Sequence, residues 1–394
     1  DFTEAKQNLP ERLSALPPRL TRYLAEAEYG INLQKQKDFD TWLASHQPFH
    51  WLSEFYGIMA SGGFDVIIGN PPYLERSKLK GAYSVVNFTT EPCRDIYAWV
   101  VERAFHLRRT GGILGLIVPV SIASSGSFDD LRNLVEEHSR SLWLSHFANR
   151  PSQLFLGAQN RLTILLSANT MSTGEVHSTR YHRWDAKNGE RSTLFQRMQY
   201  CPLGEPSRGY HGLYAKIGVL EAASVLRKTQ APRPLGACLR ERSRFSVFWV
   251  RVPGYFCQFF VDPPKAQPEG GGPARIRGEV IRIDAEDENT RRVIHALLNS
   301  STYFQFFSAF TDGRHINPSD VKMFPLDLRA YARETIDQLT HLSQSLQKSM
   351  HDNTTQWRKS GLLIDSVDSR PTKPVIDQID EVLAAHYGFT EEEL

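Results

Sequence analysis

The chain has 394 residues, 41% of them hydrophobic and 23% charged, with a formal net charge of +2. That length accommodates two or more domains with separate cores, and the composition is that of a globular chain rather than a disordered or fibrous one. No apolar run reaches the roughly 18 residues that a membrane-spanning helix needs, and no secretory leader precedes the fold, so a cytoplasmic protein with no membrane partner is expected. The four cysteines (Cys93, Cys201, Cys238 and Cys257) form no Cys-x-x-Cys pair, so reduced structural thiols and no metal site are expected. The opening Asp1-Phe2-Thr3, without a methionine, reads as the interior of a longer polypeptide. Charge is unevenly spread: residues 171–260 hold 14 Lys/Arg against 6 Asp/Glu. Such an excess makes either a solvated basic face or a surface that tracks phosphates.

Residues 1–60 read as a helical, linker-like segment. The apolar run from Leu9 to Leu24 is broken by Pro17-Pro18, and Phe49, Trp51, Phe55, Ile58 and Met59 make an aromatic cluster after it. His46 and His50 have helical spacing, but Pro48 lies between them, which favours surface or capping roles. Val66 to Ile68 is a β-branched run and predicts a fully buried parallel strand that stops at Gly69. The loop Glu75–Thr90 is polar, basic and long enough to be mobile. Asp95 is placed to cap a helix running to about Arg109, with Ile96, Trp99, Val100 and Ala104 on one face; Gly111-Gly112 ends it. Ile113–Val120 is a second buried strand stopped at Pro119, followed by a Ser/Gly loop and a helix from Phe128 to His138 capped by Ser127. Strands Ser141–Phe147 and Arg161–Ser167 complete the second half of a doubly wound sheet ending in a hairpin.

Beyond Asn169 the texture changes to short strands, Phe245–Val252 and Tyr255–Val261, between Pro/Gly-rich loops. Pro263–Gly272 reads as a flexible connector, because Gly270-Gly271-Gly272 lacks the Lys and Ser/Thr of a phosphate loop. Residues 289–307 are helical, Pro325 closes that module, and two amphipathic helices, about 328–350 and 374–386, precede an acidic tail. The domains expected are a helical linker at 1–60, a half catalytic domain at 61–169, a mixed α+β module at 170–327 and a helical end at 328–394.

The chemistry concentrates in Asn70-Pro71-Pro72-Tyr73. Two prolines without N–H groups end the strand and force these residues out at its carboxyl end, where open α/β sheets bind ligands. The Asn70 side-chain oxygen and the Pro71 carbonyl can accept both hydrogens of an exocyclic –NH2, and the Tyr73 ring can stack on the ring that bears it. Holding both hydrogens keeps the nitrogen lone pair from delocalising and makes it a better nucleophile toward an electrophilic methyl. The alternative is a Pro-Pro turn that merely ends a core strand.

With Gly63 to Tyr73, the segment Asp95-Ile96-Tyr97-Ala98 and the run Gly111 to Pro119, the chain resembles the N6-adenine DNA methyltransferases of single-polypeptide restriction–modification and phage-defence systems. Weaker likenesses lie in Gly313-Arg314-His315-Ile316-Asn317 and Phe324-Pro325-Leu326. The resemblance implies a Rossmann-like methyltransferase sheet, of which this would be the C-terminal half, then a mixed α+β target-recognition domain and C-terminal helices. It implies S-adenosylmethionine as donor, and double-stranded DNA and other defence subunits as partners. It makes Asn70, Pro71, Pro72 and Tyr73 catalytic on a flipped-out adenine and puts Asp65 on the donor's side. Arg180, Arg183, Arg240, Arg242, Arg244 and Arg314 become the candidates for DNA contact. The departure is upstream. That family holds its donor with a Gly-rich loop after the first strand, whereas only Gly30 and Gly57 precede residue 62 here. The isolated chain is therefore expected to lack much of the donor pocket and to be inactive alone. Two other readings share the tetrad: a methyltransferase acting on glutamine or on RNA amines, and a DNA-recognition scaffold that does not itself methylate.

Overall fold

The computed structural model describes residues 2–157, 159–169, 174–204, 208–252 and 256–394, with residues 2–14 described by backbone only. They form two compact units, 1–178 with 182–194 and 202–213, and 179–181 with 195–201 and 214–394. The architecture is mixed α/β, as the sequence predicts.

The first unit opens with the helices Phe2–Ala27 and Gln36–His46. The prolines do not break the first of them. A proline φ near −65° is compatible with a helix, and the backbone runs on through Pro17-Pro18 although each proline lacks an amide donor and crowds the carbonyl four residues back. Ala25, Phe39 and Trp42 are buried between the two helices, with Tyr29 packed against them.

The main sheet has the order β1-β2-β4-β3-β5-β6, from Phe64–Gly69 (β1), Arg108–Pro119 (β2), Ser141–Phe147 (β3), Leu162–Ala168 (β4), Glu175–His182 (β5) and Cys201–Pro202 (β6). β1 runs parallel to β2, and β4 is antiparallel to both β2 and β3. The predicted alternation of strands and helices is present, with the helices Tyr97–Leu107 and Asp129–Glu137 in their expected places. Gly111 and Gly112 lie inside β2 rather than ending the preceding helix. The register slips there, with Phe64 opposite Arg108 but Val66 opposite Ile113. Gly111 takes a left-handed φ of 82° at this bulge. A Cβ on Gly112 would stand 2.9 Å from the Phe64 carbonyl oxygen. Ser127 does not cap the next helix either; the Ser125 hydroxyl accepts its N–H instead.

One face of this sheet, including Leu114, Leu116, Val118, Leu142, Leu144 and Leu165, is buried. The other is open over β1, β2 and the adjoining part of β4, where Val66 is 56% exposed, Ile68 80%, Ile113 44% and Leu166 38%. The expected fully buried strand is thus half bare. β1 is an edge strand, and among the described residues no strand pairs with its outer side.

In the second unit the sheet β11-β7-β8 consists of Ser246–Val250 (β7), Phe259–Phe260 (β8) and Val280–Asp284 (β11). The strand expected at Tyr255–Val261 is reduced to β8, and Tyr255 itself lies outside the described residues. The helical stretch after Asn289 is two helices, Glu288–Leu298 and Ser301–Phe310, divided where the Ser300 hydroxyl accepts the Tyr303 N–H and starts the second. Their core gathers Trp249, Phe259, Tyr303, Phe306, Phe307 and Phe324. The two closing helices run Arg333–Asp352 and Lys373–Tyr387.

The expected connector at Pro263–Gly272 is a strand and a turn. Lys265–Pro268 (β9) pairs with Arg275–Ile276 (β10), and the glycines between them turn the chain back. β9 also pairs with Leu362–Val367 (β13), which pairs in turn with Thr354–Lys359 (β12). The β12–β13 turn is Ser360-Gly361, with φ of 53° and 74°, both in the left-handed region that a tight hairpin turn requires.

Candidate amine-binding site

β1 delivers the tetrad at its carboxyl end, beside the last residues of β2. Pro71 is buried, Tyr73 half-buried, and Asn70 and Pro72 exposed. The Tyr73 hydroxyl lies against two acceptors, the Asn70 side-chain oxygen and the Ile117 carbonyl of β2, 2.8 Å away in the second case. Having a single proton, it donates to one of them at a time. Burial pushes the Tyr73 phenol up to about 12, so it stays a donor across the physiological range. In this state the Asn70 oxygen is oriented by Tyr73, and the carbonyl that shares the hydroxyl belongs to the neighbouring strand.

The residue after the tetrad is clamped. Asp95 Oδ1 accepts the N–H of Leu74 at 3.0 Å and that of Tyr97 at 3.2 Å, and the Ile96 N–H donates back to the Leu74 carbonyl. Burial raises the Asp95 carboxyl, partly offset by those two N–H bonds. Further on, Glu102 is 1% exposed and accepts four hydrogen bonds, from the N–H and the hydroxyl of both Thr89 and Thr90. The Trp99 indole N–H donates to the Thr90 carbonyl at 3.0 Å. The loop expected to be mobile is therefore tied down at both ends. In the sequence Glu102 belongs to the run Glu102-Arg103-Ala104 that shares the family resemblance, but nothing there gives it an anchoring role; its one further signal is a carboxylate on the inward face of an amphipathic helix.

The other predicted residues are dispersed. Asp65 sits at the opposite end of β1 from the tetrad, about 16 Å from Asn70 at some 3.3 Å per residue, with its carboxylate 2.5 Å from Arg109 Nε. Arg180 and Arg183 are exposed and fall in different units. Arg240, Arg242 and Arg244 are exposed on one turn leading into β7, where Arg242 has a left-handed φ of 60° and Arg244 stands 5.0 Å over the Phe245 ring. Arg314 is half-buried on a turn organised by Asp312, whose carboxylate accepts the N–H groups of Arg314 and His315 at 2.8 Å each.

Residues 18–155 match the Eco57I restriction-modification methylase family. A curated protein of Methanocaldococcus jannaschii, under the provisional name of a type II restriction enzyme and methyltransferase, is 31% identical over 115 residues. The matched stretch is 28% of this chain and 9% of that protein, so the chain spans a small part of its relative. Among solved structures, the Type IIL restriction-modification enzyme MmeI in complex with DNA is similar with a TM-score of 0.42 and 9% identity, over 82% of this chain and 54% of that one. A nuclease-deletion mutant of the Type ISP enzyme LlaGI, with a DNA substrate mimic, has a TM-score of 0.38 and 11% identity, over 86% and 51% of the two chains.

Proposed function

We propose that this chain carries the amine-gripping part of a site-specific DNA adenine-N6 methyltransferase of a restriction–modification or phage-defence system, with S-adenosylmethionine as donor. The observation that supports it most is the pairing of Asn70 and Tyr73 at the carboxyl end of β1, against the Ile117 carbonyl of β2. A flipped-out adenine presents its amine to the Asn70 side-chain oxygen and the Pro71 carbonyl, each taking one hydrogen, while the Tyr73 ring covers the base. The Tyr73 hydroxyl then rests on Ile117, which leaves the Asn70 oxygen to the amine. With both hydrogens held, the lone pair is localised and points out of the ring plane. The tetrad contains no strong base, and the proton displaced from the amine passes to solvent.

In this reading the donor pocket extends beyond the residues of this chain. Among the described residues no strand flanks β1 on its outer edge, and Asp65 stands at the strand's far end, paired with Arg109. The donor is assigned to an α/β portion that extends the sheet beyond β1 and covers Val66 and Ile68, in the same polypeptide or in a partner subunit. Exposed Arg240, Arg242 and Arg244, together with Arg314, are the DNA-facing candidates of the second unit, and Arg180 and Arg183 remain candidates on their own segment.

The test is methyl transfer by the intact parent to duplex DNA, transfer RNA and a release factor, with modified-base sequencing of a host that expresses it. Transfer to adenine N6 in duplex DNA is expected; transfer confined to the other two substrates refutes the reading. Calorimetry then places the donor site: S-adenosylmethionine is expected to bind the parent, and tight binding by this chain alone overturns the assignment of the donor to another portion.

A further inference from the structure

The sheet β10-β9-β13-β12 has a face built for a ligand. Register places Trp357 opposite Ile364 and Lys359 opposite Leu362. Those two lie opposite Ala266 and Pro268 of β9, and Ala266 lies opposite Arg275 of β10. Residues directly opposite one another share a face. One face therefore has an apolar floor of β13 and β9 side chains, with Trp357 and Lys359 along one margin and Arg275 along the other. These residues line a cleft of about 640 Å³, which Arg277 and Glu279 also border. Trp357 is 44% exposed, and the Lys359 ammonium stands 5.5 Å from its ring centroid. Arg277 is paired with Glu279, so the charged lining is three cations against one carboxylate. Every residue of β12 is exposed, and its outer edge carries no strand among the described residues.

An apolar floor with a standing aromatic ring and cations on both margins is the complement of a backbone that alternates sugar rings with negative charges. We propose that this cleft binds the backbone of duplex DNA, with phosphates on Arg275, Arg277 and Lys359 and the apolar face of a sugar against Trp357. A peptide strand added to β12 is the competing occupant. Arg358 and Lys359 at the end of that strand oppose it, because cations on an edge strand blunt edge-to-edge pairing. The inference rests on the reading of the chain as one that acts on DNA, and it adds a contact surface outside the basic segment 171–260.

The test is fluorescence anisotropy of a labelled duplex with the full chain across a salt series. Arg275→Gln combined with Lys359→Gln is expected to lower the slope of log K against log[salt] by about 1.8, at about 0.9 per phosphate contact. Trp357→Ala is expected to weaken binding about tenfold with the slope unchanged, as the apolar contact of the ring is lost, and Trp357→Phe to restore most of it. Circular-dichroism melts check that the variants fold; if the double variant melts early, Lys359→Gln alone is read for a loss of about 0.9. Wild-type binding with an unaltered slope and affinity in these variants overturns the cleft as a DNA site and leaves the wider reading standing. Wild-type chain that fails to bind duplex at all removes the premise that it acts on DNA.

Discussion

Replacing Glu102 by alanine should loosen the segment that follows the tetrad. The carboxylate holds two backbone N–H groups and two hydroxyls of Thr89 and Thr90, and Thr90 is fully buried. Leaving a buried donor unsatisfied costs about 1–3 kcal/mol, and the two Thr90 donors alone put the loss at about 2–6 kcal/mol. Glu102→Gln keeps one acceptor oxygen and is expected to lose about half as much. The same contacts set a pH dependence. Burial pushes the Glu102 carboxyl up, but the hydrogen bonds from Thr90 and Thr89 outweigh it and hold the folded-state value below the ordinary 4.5. A depressed carboxylate contributes stability that is present above 4.5 and lost as pH falls through the lower folded value. Urea unfolding followed by circular dichroism at neutral pH and below pH 4.5 measures both effects. An alanine variant that unfolds with wild-type midpoint and slope refutes the anchoring role.

Asn70→Ala in the intact parent should reduce methylation by about 10²–10³, the scale for removing one preorganised polar group, while duplex binding stays near wild type; near-normal turnover would sink the amine-holding mechanism. Tyr73→Phe keeps the ring and is expected to retain more activity than Tyr73→Ala, measured as initial rates on one duplex. Gly63→Ala should destabilise by about 2–4 kcal/mol, because the φ is 116° and a Cβ would stand 2.4 Å from the Leu107 carbonyl oxygen; thermal melts read this. Burial pushes the His295 imidazole down to about 3, with its ring bonded to Ser343 and to the Phe259 carbonyl. The unfolded state then binds the extra proton, so stability falls as pH drops from 6.5 toward 3, and His295→Gln should flatten that part of the acid-unfolding profile.

The tetrad and the strands and helices around it were legible because their signals are local. Val66 to Ile68 reads as a strand from its own residues, and two prolines state where it ends. Burial was not legible there, because an apolar strand looks the same whether its far face is covered or bare; only neighbours in space distinguish Ile68, open to solvent, from Leu114, fully buried. The β9–β10 hairpin was hidden because prolines and glycines flank a strand of four residues, a composition that linkers share. The Thr354–Val367 hairpin was missed although Ser360-Gly361 punctuates it, since the exposed, polar β12 lacks an apolar stripe. At the site, the Ile117 carbonyl and the Glu102 anchor are backbone or tertiary partners, and no motif announces those.

The place of β4 between β2 and β3 bears on how the molecule is made. Chain order delivers β2 and then β3, but hydrogen bonding joins neither to the other; β4 pairs with both. While synthesis proceeds, the inner edge of β2 stays unpaired until Leu162–Ala168 has emerged. The last strand of this part must then form a hairpin with its predecessor and close against β2 in one step. That step joins residues some fifty positions apart, Ile113 with Ala168 and Pro119 with Leu162. Its loop-closure entropy places it late on the folding path. A ribosome paused shortly before residue 162 would hold a β2 whose hydrogen-bonding groups have no partner on that side, ready to pair with whatever chain is nearest.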